Sequence, residues 1–222
     1  MSIKDHIKFY RQEVEPFGAR LIAVSKTHPA PAILEAYEAG QRLFGENKVQ
    51  ELMDKQPTLP ADIGWHLIGH LQTNKVKYVA PVVSLIHAVD SEKVLLEIEK
   101  QGARAGRVIP CLLQIFIAQE ETKFGLHESE ALSLITNPVM QSLQFVRIEG
   151  LMGMASLTEN QTQIRQEFRS LRRLFDDVAK LPLPGHIRMK ELSMGMTSDY
   201  RVALEEGSTL IRVGTAIFGQ RR

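Results

Sequence analysis

Hydrophobic residues along this chain repeat in two rhythms that take turns. Short runs that are apolar almost throughout fall near residues 20–25, 41–45, 64–69, 84–89, 109–117, 145–152, 189–194 and 210–214. Runs of this length, rich in Val, Ile and Leu, predict strands. Between them, apolar positions three and four apart predict helices near 30–39, 46–56, 73–80, 91–104, 127–136, 160–180 and 198–206. An opening helix covers about 2–15. The clearest helix is 160–180, which sets Ile164, Phe168, Leu171, Phe175 and Val178 on one face.

Boundary residues agree with these periods. Pro29 and Pro31 bracket a helix start, Gly40 follows Ala39 as a stop, and Asp90-Ser91 offers an N-cap ahead of Glu92. Strands alternating with helices imply a parallel sheet, because each crossover returns the chain to the same edge. Continuous apolar runs, rather than strict alternation, fit strands covered on both faces. The expected fold class is α/β: one (β/α)8 TIM-type barrel with an extra N-terminal helix, residues 1–222 forming a single domain. An open doubly wound sheet is the alternative that strand number leaves open.

Composition narrows the function. Among 222 residues, 27 basic side chains face 26 acidic ones, a formal charge of +1 that leaves no footprint for nucleic acid or an anionic membrane. The polar start Met1–His6 lacks the apolar stretch of a signal peptide, and no run approaches a membrane span. A cytoplasmic protein is expected. The lone cysteine, Cys111, excludes a disulfide framework and reads as a buried core residue.

The unusual residues collect where the predicted strands end, which is where parallel barrels carry function. Lys26 follows the apolar run Leu21–Val24, a place that strand formation does not require and where a charged ammonium is costly to keep. A lysine with a depressed pKa forms imines with carbonyl compounds. The loops after the last two strands carry Ser193, Gly195, Met196, Thr197, Gly214 and Thr215, each loop followed by a predicted helical turn. Glycines and hydroxyls there suit a phosphate cradle, or merely tight βα turns. An imine-forming amine with such a cradle across the barrel mouth describes a site for pyridoxal 5′-phosphate (PLP). Arg212, inside the last strand, either pairs with a buried carboxylate or faces the pyridine nitrogen, where its cation would disfavour protonation.

Several residues take plainer readings. His66 and His70 flank a strand and a glycine, which breaks metal-ligand geometry and leaves packing or hydrogen bonding. Met152, Met154, Met194 and Met196 fill the barrel top, Met154 and Met196 within reach of a cofactor. Glu46 reads as the cap of a helix starting at Asn47, and Lys123 as a loop lysine.

The chain resembles, over nearly its whole length, the pyridoxal phosphate homeostasis proteins. The matching segments are Ala23–Lys26, Phe44–Glu51, Trp65–Lys75, Lys123–Gly125, Gly150–Met154, Leu192–Asp199 and Arg212–Gly219. The resemblance implies a barrel akin to the N-terminal domain of alanine racemase, fold type III among PLP proteins. It further implies that Lys26 holds PLP as an aldimine, that Asn47 lies close to the ring, and that Arg212 sits near its nitrogen. Ser193–Thr197 with Gly214-Thr215 would hold the phosphate, and Lys123 would match a secondary PLP contact. Lys48 and His70 stand where bulkier or less polar residues are frequent in relatives.

The function so implied is PLP storage and delivery without turnover, by a monomer whose recipients would be apo PLP-dependent enzymes. An amino-acid racemase is the enzymatic alternative. Racemases, however, add a tyrosine from a separate β domain, whereas this chain ends at Arg222 just after its last predicted strand. Tyr200 is the nearest tyrosine to the mouth and reads as a packing residue. A sugar-phosphate enzyme using Lys26 lacks a predicted catalytic carboxylate.

Overall fold

The computed structural model describes residues 2–119 and 124–220. Eight strands, β1 Arg20–Val24, β2 Leu43–Glu46, β3 Gly64–Leu67, β4 Leu85–Val89, β5 Ile109–Ile115, β6 Val146–Gly153, β7 Ile187–Ser193 and β8 Leu210–Val213, pair in parallel in chain order. β1 also pairs with β8, Leu21 opposite Ile211, so the sheet closes into a barrel and the open-sheet alternative falls away. Helix α1 Ile3–Val14 precedes the barrel, held at its start by a reciprocal Ser2–Asp5 capping box. The crossovers carry α2 Ala30–Glu38, α3 Val49–Lys55, α4 Val76–Val79, α5 Glu92–Ala105, α6 Glu128–Thr136, α7 Gln161–Ala179 and α8 Tyr200–Glu205. A final turn, α9 Thr215–Phe218, follows β8.

Alternate strand residues serve two cores. Ile22, Leu85, Leu112, Met152 and Leu210 form a small cluster of their own inside the barrel. Their neighbours Leu21 and Ala23 join the much larger core between strands and helices, together with Phe168 and Leu171 of α7. Met194 belongs to that outer core, not to the barrel top, because it points away from the interior that Met152 fills. Cys111 is fully buried.

Several predicted boundaries shift, three of them for a visible reason, while β3 and β5 simply end two residues early at Leu67 and Ile115. The helix expected over 46–56 begins only at Val49, because β2 extends through Glu46. The 73–80 helix is a 3-10 turn at Thr73–Lys75 running into the single turn α4. β7 starts at Ile187, two residues early: Arg188, Met189 and Lys190 break the apolar run, and a register irregularity accommodates them against β6. Among the described residues no helix is long and apolar enough to cross a membrane.

Candidate functional site

The carboxyl ends of the strands enclose a cavity of about 540 Å³, inside the range of small-ligand sites. Lys26, Asn47, Met154, Met196, Thr197, Arg212, Gly214 and Thr215 all line it. A cleft of about 710 Å³ at the other end, between α1 and the start of β2, is larger. It is bordered by exposed cations whose charge is partly engaged, Arg20 by Glu191 and Arg42 by Asp62. The residues singled out in the sequence gather at the carboxyl end instead.

Lys26 stands in the turn just past β1, half-buried, after the fully buried Ser25. The next residue, Thr27, has φ +67, a conformation that a β-branched residue adopts only when its surroundings impose it. Asn47, just beyond β2, is reached closely by the chain after β3: a Cβ on Gly69 would fall 2.4 Å from the Asn47 carbonyl oxygen and 2.8 Å from its Cα. Glycine is required there.

The loop after β8 lies beside Lys26, not across the mouth from it, and the loop after β7 comes next around the rim. Barrel closure pairs β8 with β1, which brings the loop after the last strand to the side of the first. Gly214 caps α9, and the first N–H groups of a helix have no acceptor within it. Thr197, Ser198 and Thr215 add hydroxyls on the same side. All of these groups can donate hydrogen bonds.

Ser193 and Gly195 do not line the cavity. Gly195 has φ +91, and a Cβ there would meet the Ala203 Cβ at 2.5 Å, so this glycine serves the tight turn into α8. Ser193 is buried beneath the cavity, where its Oγ accepts from Arg212 Nη1 at 2.5 Å. The second Arg212 bond runs from Nη2 to the Gly153 carbonyl at 3.1 Å. A hydroxyl and a carbonyl, rather than a directly bonded carboxylate, therefore hold this arginine. Burial lowers its pKa to about 10, partly offset by the charge of Asp199, so it stays cationic at neutral pH.

Behind Ser193 the polar chain continues: His87 Nδ1 lies 3.0 Å from Ser193 Oγ, and His87 Nε2 lies 2.9 Å from His66 Nδ1. Burial pulls the pKa of His66 down to about 3 and that of His87 well below its ordinary value. Both rings are neutral at pH 7, each with one donor and one acceptor nitrogen.

Glu46 departs from its expected role as a helix cap. It is the last residue of β2, fully buried, with Oε1 accepting from Ser25 Oγ at 2.6 Å and from Lys55 Nζ at 2.8 Å. Burial raises its pKa despite these bonds. Tyr200 turns to α1, where its hydroxyl donates to Glu13 at 2.9 Å. Lys123 lies outside the described residues.

His70 lines the cavity, its ring stacked on Phe124 at 4.6 Å and its Nδ1 3.0 Å from Asp90. His28, Ile68 and Gln114 also line it; the Gln114 amide donates to the Phe124 carbonyl at 2.8 Å. Gln114 and His87 were missed from the sequence, although each is a lone polar side chain in an apolar strand. Among the described residues no group of His, Cys, Asp and Glu could hold a metal ion.

Known proteins of similar sequence and fold give the chain its family. The family described as alanine racemase, N-terminal domain, matches residues 1–222. A pyridoxal phosphate homeostasis protein of Aquifex aeolicus is 40% identical over 205 residues, covering 92% of this chain and 88% of that protein. The Homo sapiens protein of the same name is 39% identical over 215 residues, covering 91% of this chain and 76% of its own length. PipY of Synechococcus elongatus, solved with PLP bound, superposes with a TM-score of 0.87 at 38% identity, covering 98% and 100% of the two chains. Bartonella henselae alanine racemase, at 16% identity and a TM-score of 0.74, shares the fold. The chain belongs to the pyridoxal phosphate homeostasis protein family, built on the alanine racemase N-terminal-domain barrel.

Proposed function

We propose that this protein binds PLP on Lys26 and acts in intracellular PLP homeostasis as a carrier, not as a catalyst. The observation that carries this reading is one cavity that joins Lys26 to Thr197, Ser198, Thr215 and the buried cation of Arg212. PLP, when bound, supplies an aldehyde able to condense with a primary amine. Lys26 offers that amine. The first amides of α9 and the three hydroxyls receive the phosphate, while Asn47, Met154 and Met196 border the ring. Arg212, clamped by Ser193 and Gly153, keeps its cation toward the cavity and disfavours a proton on the pyridine nitrogen. Ser193 and Gly195 act from below, by holding Arg212 and the β7 turn. The PLP-bound PipY structure supports the cofactor, and the names of the relatives support the homeostatic role.

A carrier rather than a racemase is favoured by Tyr200, whose hydroxyl is engaged by Glu13 on α1 and so offers no second acid/base group to Lys26. Its partners on this reading are PLP and apo PLP-dependent enzymes, with the chain acting as a cytoplasmic monomer. The test is borohydride reduction of the PLP-loaded protein followed by peptide mapping. A pyridoxyl group on Lys26, and no yellow absorbance in a folded Lys26→Ala protein, are expected. A fully yellow Lys26→Ala protein would overturn the site, and loss of optical rotation from an L-amino acid would overturn the carrier reading.

A further inference from the structure

Three charged side chains lie next to the Lys26 turn, yet none of them lines the cavity: Glu46 at the end of β2, and Glu51 and Lys55 in α3. Their bonds converge on the two residues that flank Lys26. On one side, Ser25 donates its hydroxyl to Glu46 Oε1 at 2.6 Å, and its carbonyl accepts from Lys55 Nζ at 3.0 Å. On the other, the Thr27 N–H donates to Glu51 Oε2 at 2.7 Å. Lys55 closes the circuit by donating to Glu46 at 2.8 Å and to Glu51 at 3.2 Å.

Burying such a group is costly in itself: an ion cluster stripped of water often contributes less stability than an apolar one of equal volume. What it supplies is a fixed arrangement. Thr27 is the only described residue other than glycine with positive φ. A β-branched residue holds that conformation only where its neighbours over-determine it. Glu51 provides the constraint through the Thr27 amide, and Lys55 holds Glu51 and Ser25 in one frame.

We propose that Lys55, through Glu46 and Glu51, is a positioning residue that presets the Lys26 turn for condensation with an aldehyde. The ammonium of Lys55 never meets the ligand. It locks both peptide neighbours of Lys26, so that the amine is already directed when PLP arrives and little ordering remains to be done on binding. In that condensation Lys26 Nζ forms a C=N bond to the aldehyde carbon and the aldehyde oxygen leaves as water. The proposal rests on the reading of Lys26 as the PLP-linked amine.

The test uses Glu51→Ala, Glu51→Gln and Lys55→Met in the full chain. Exchange of the Thr27 amide is followed by NMR in the PLP-free protein, and PLP affinity is followed by absorbance and borohydride mapping. Glu51→Ala and Lys55→Met are expected to speed Thr27 exchange and to weaken PLP binding about tenfold, the effect of losing one charge-assisted hydrogen bond. Glu51→Gln keeps an oxygen for the Thr27 amide and should restore both. Should Lys55→Met fail to fold, the half-buried Glu51 pair decides alone. Unchanged PLP affinity in folded Glu51→Ala protein, with wild type labelled on Lys26, overturns the positioning role and leaves the Lys26 reading standing. A wild-type label on another residue removes both.

Discussion

Arg212 Nη1 lies 2.5 Å from the Ser193 hydroxyl, and both side chains are buried. A guanidinium only donates, so Ser193 Oγ is the acceptor in this pair, and the same oxygen also lies 3.0 Å from His87 Nδ1. His87 Nε2 in turn lies 2.9 Å from His66 Nδ1. One serine thus links the aim of a cavity cation to two buried histidines.

Ser193→Ala should therefore act at a distance from its own small volume. It leaves Arg212 and His87 each short of a buried partner, a loss of about 1–3 kcal/mol in unfolding free energy. Urea denaturation measures it. PLP affinity should fall in parallel, whereas Ser193→Thr keeps the hydroxyl and should retain most of the binding.

Gly69→Ala tests the approach of the chain after β3 to Asn47. A methyl group 2.4 Å from a carbonyl oxygen and 2.8 Å from a Cα meets backbone that cannot swing aside. Overpacking of this kind costs about 1–3 kcal/mol. Thermal unfolding should show the drop, and binding should weaken with it because Asn47 borders the cavity.

The buried histidines predict acid sensitivity. The folded-state pKa of His66 is lowered to about 3 from an ordinary 6.5. Between those values the unfolded chain binds a proton that the folded one does not, so the stability contributed by the neutral ring is full above pH 6.5 and is lost as pH falls. From pH 6.5 to 5 the loss for this one group is about 2 kcal/mol. His87, shifted in the same direction by burial, adds to the slope. Urea midpoints measured from pH 7 to 5 should fall, and a folded His66→Gln protein should show a flatter dependence.

Cys111 should be inert in the native protein. It is fully buried on β5, and burial pushes its thiol pKa far up, so little thiolate is present to attack. A colorimetric thiol reagent should find no reactive cysteine in buffer and one per chain in denaturant. Rapid labelling of the native protein would contradict the packing of this strand.

The amino-acid sequence by itself carried the alternation of strands and helices, with which a closed barrel and an open doubly wound sheet were both compatible. Apolar runs of strand length, alternating with amphipathic helices, leave few ways to bury both faces of every strand, and α7 was legible from Ile164, Phe168 and Leu171 alone. It also named most of the cavity, Lys26, Thr197, Arg212 and Thr215 from their places at strand ends and Asn47 through the family resemblance, and all line it at the carboxyl ends. Tertiary structure decided the rest. Closure of β8 on β1 decided for the barrel and set the loop after β8 beside Lys26, a neighbourhood that strand order along the chain does not express. The partners of Arg212 come from β6 and β7, and those of Ser25 and Thr27 from β2 and α3, at separations no local period encodes. Periodicity reports which face of an element is buried. Only packing in three dimensions determines which polar groups share that interior, because a buried donor must find its acceptor wherever the fold has brought one.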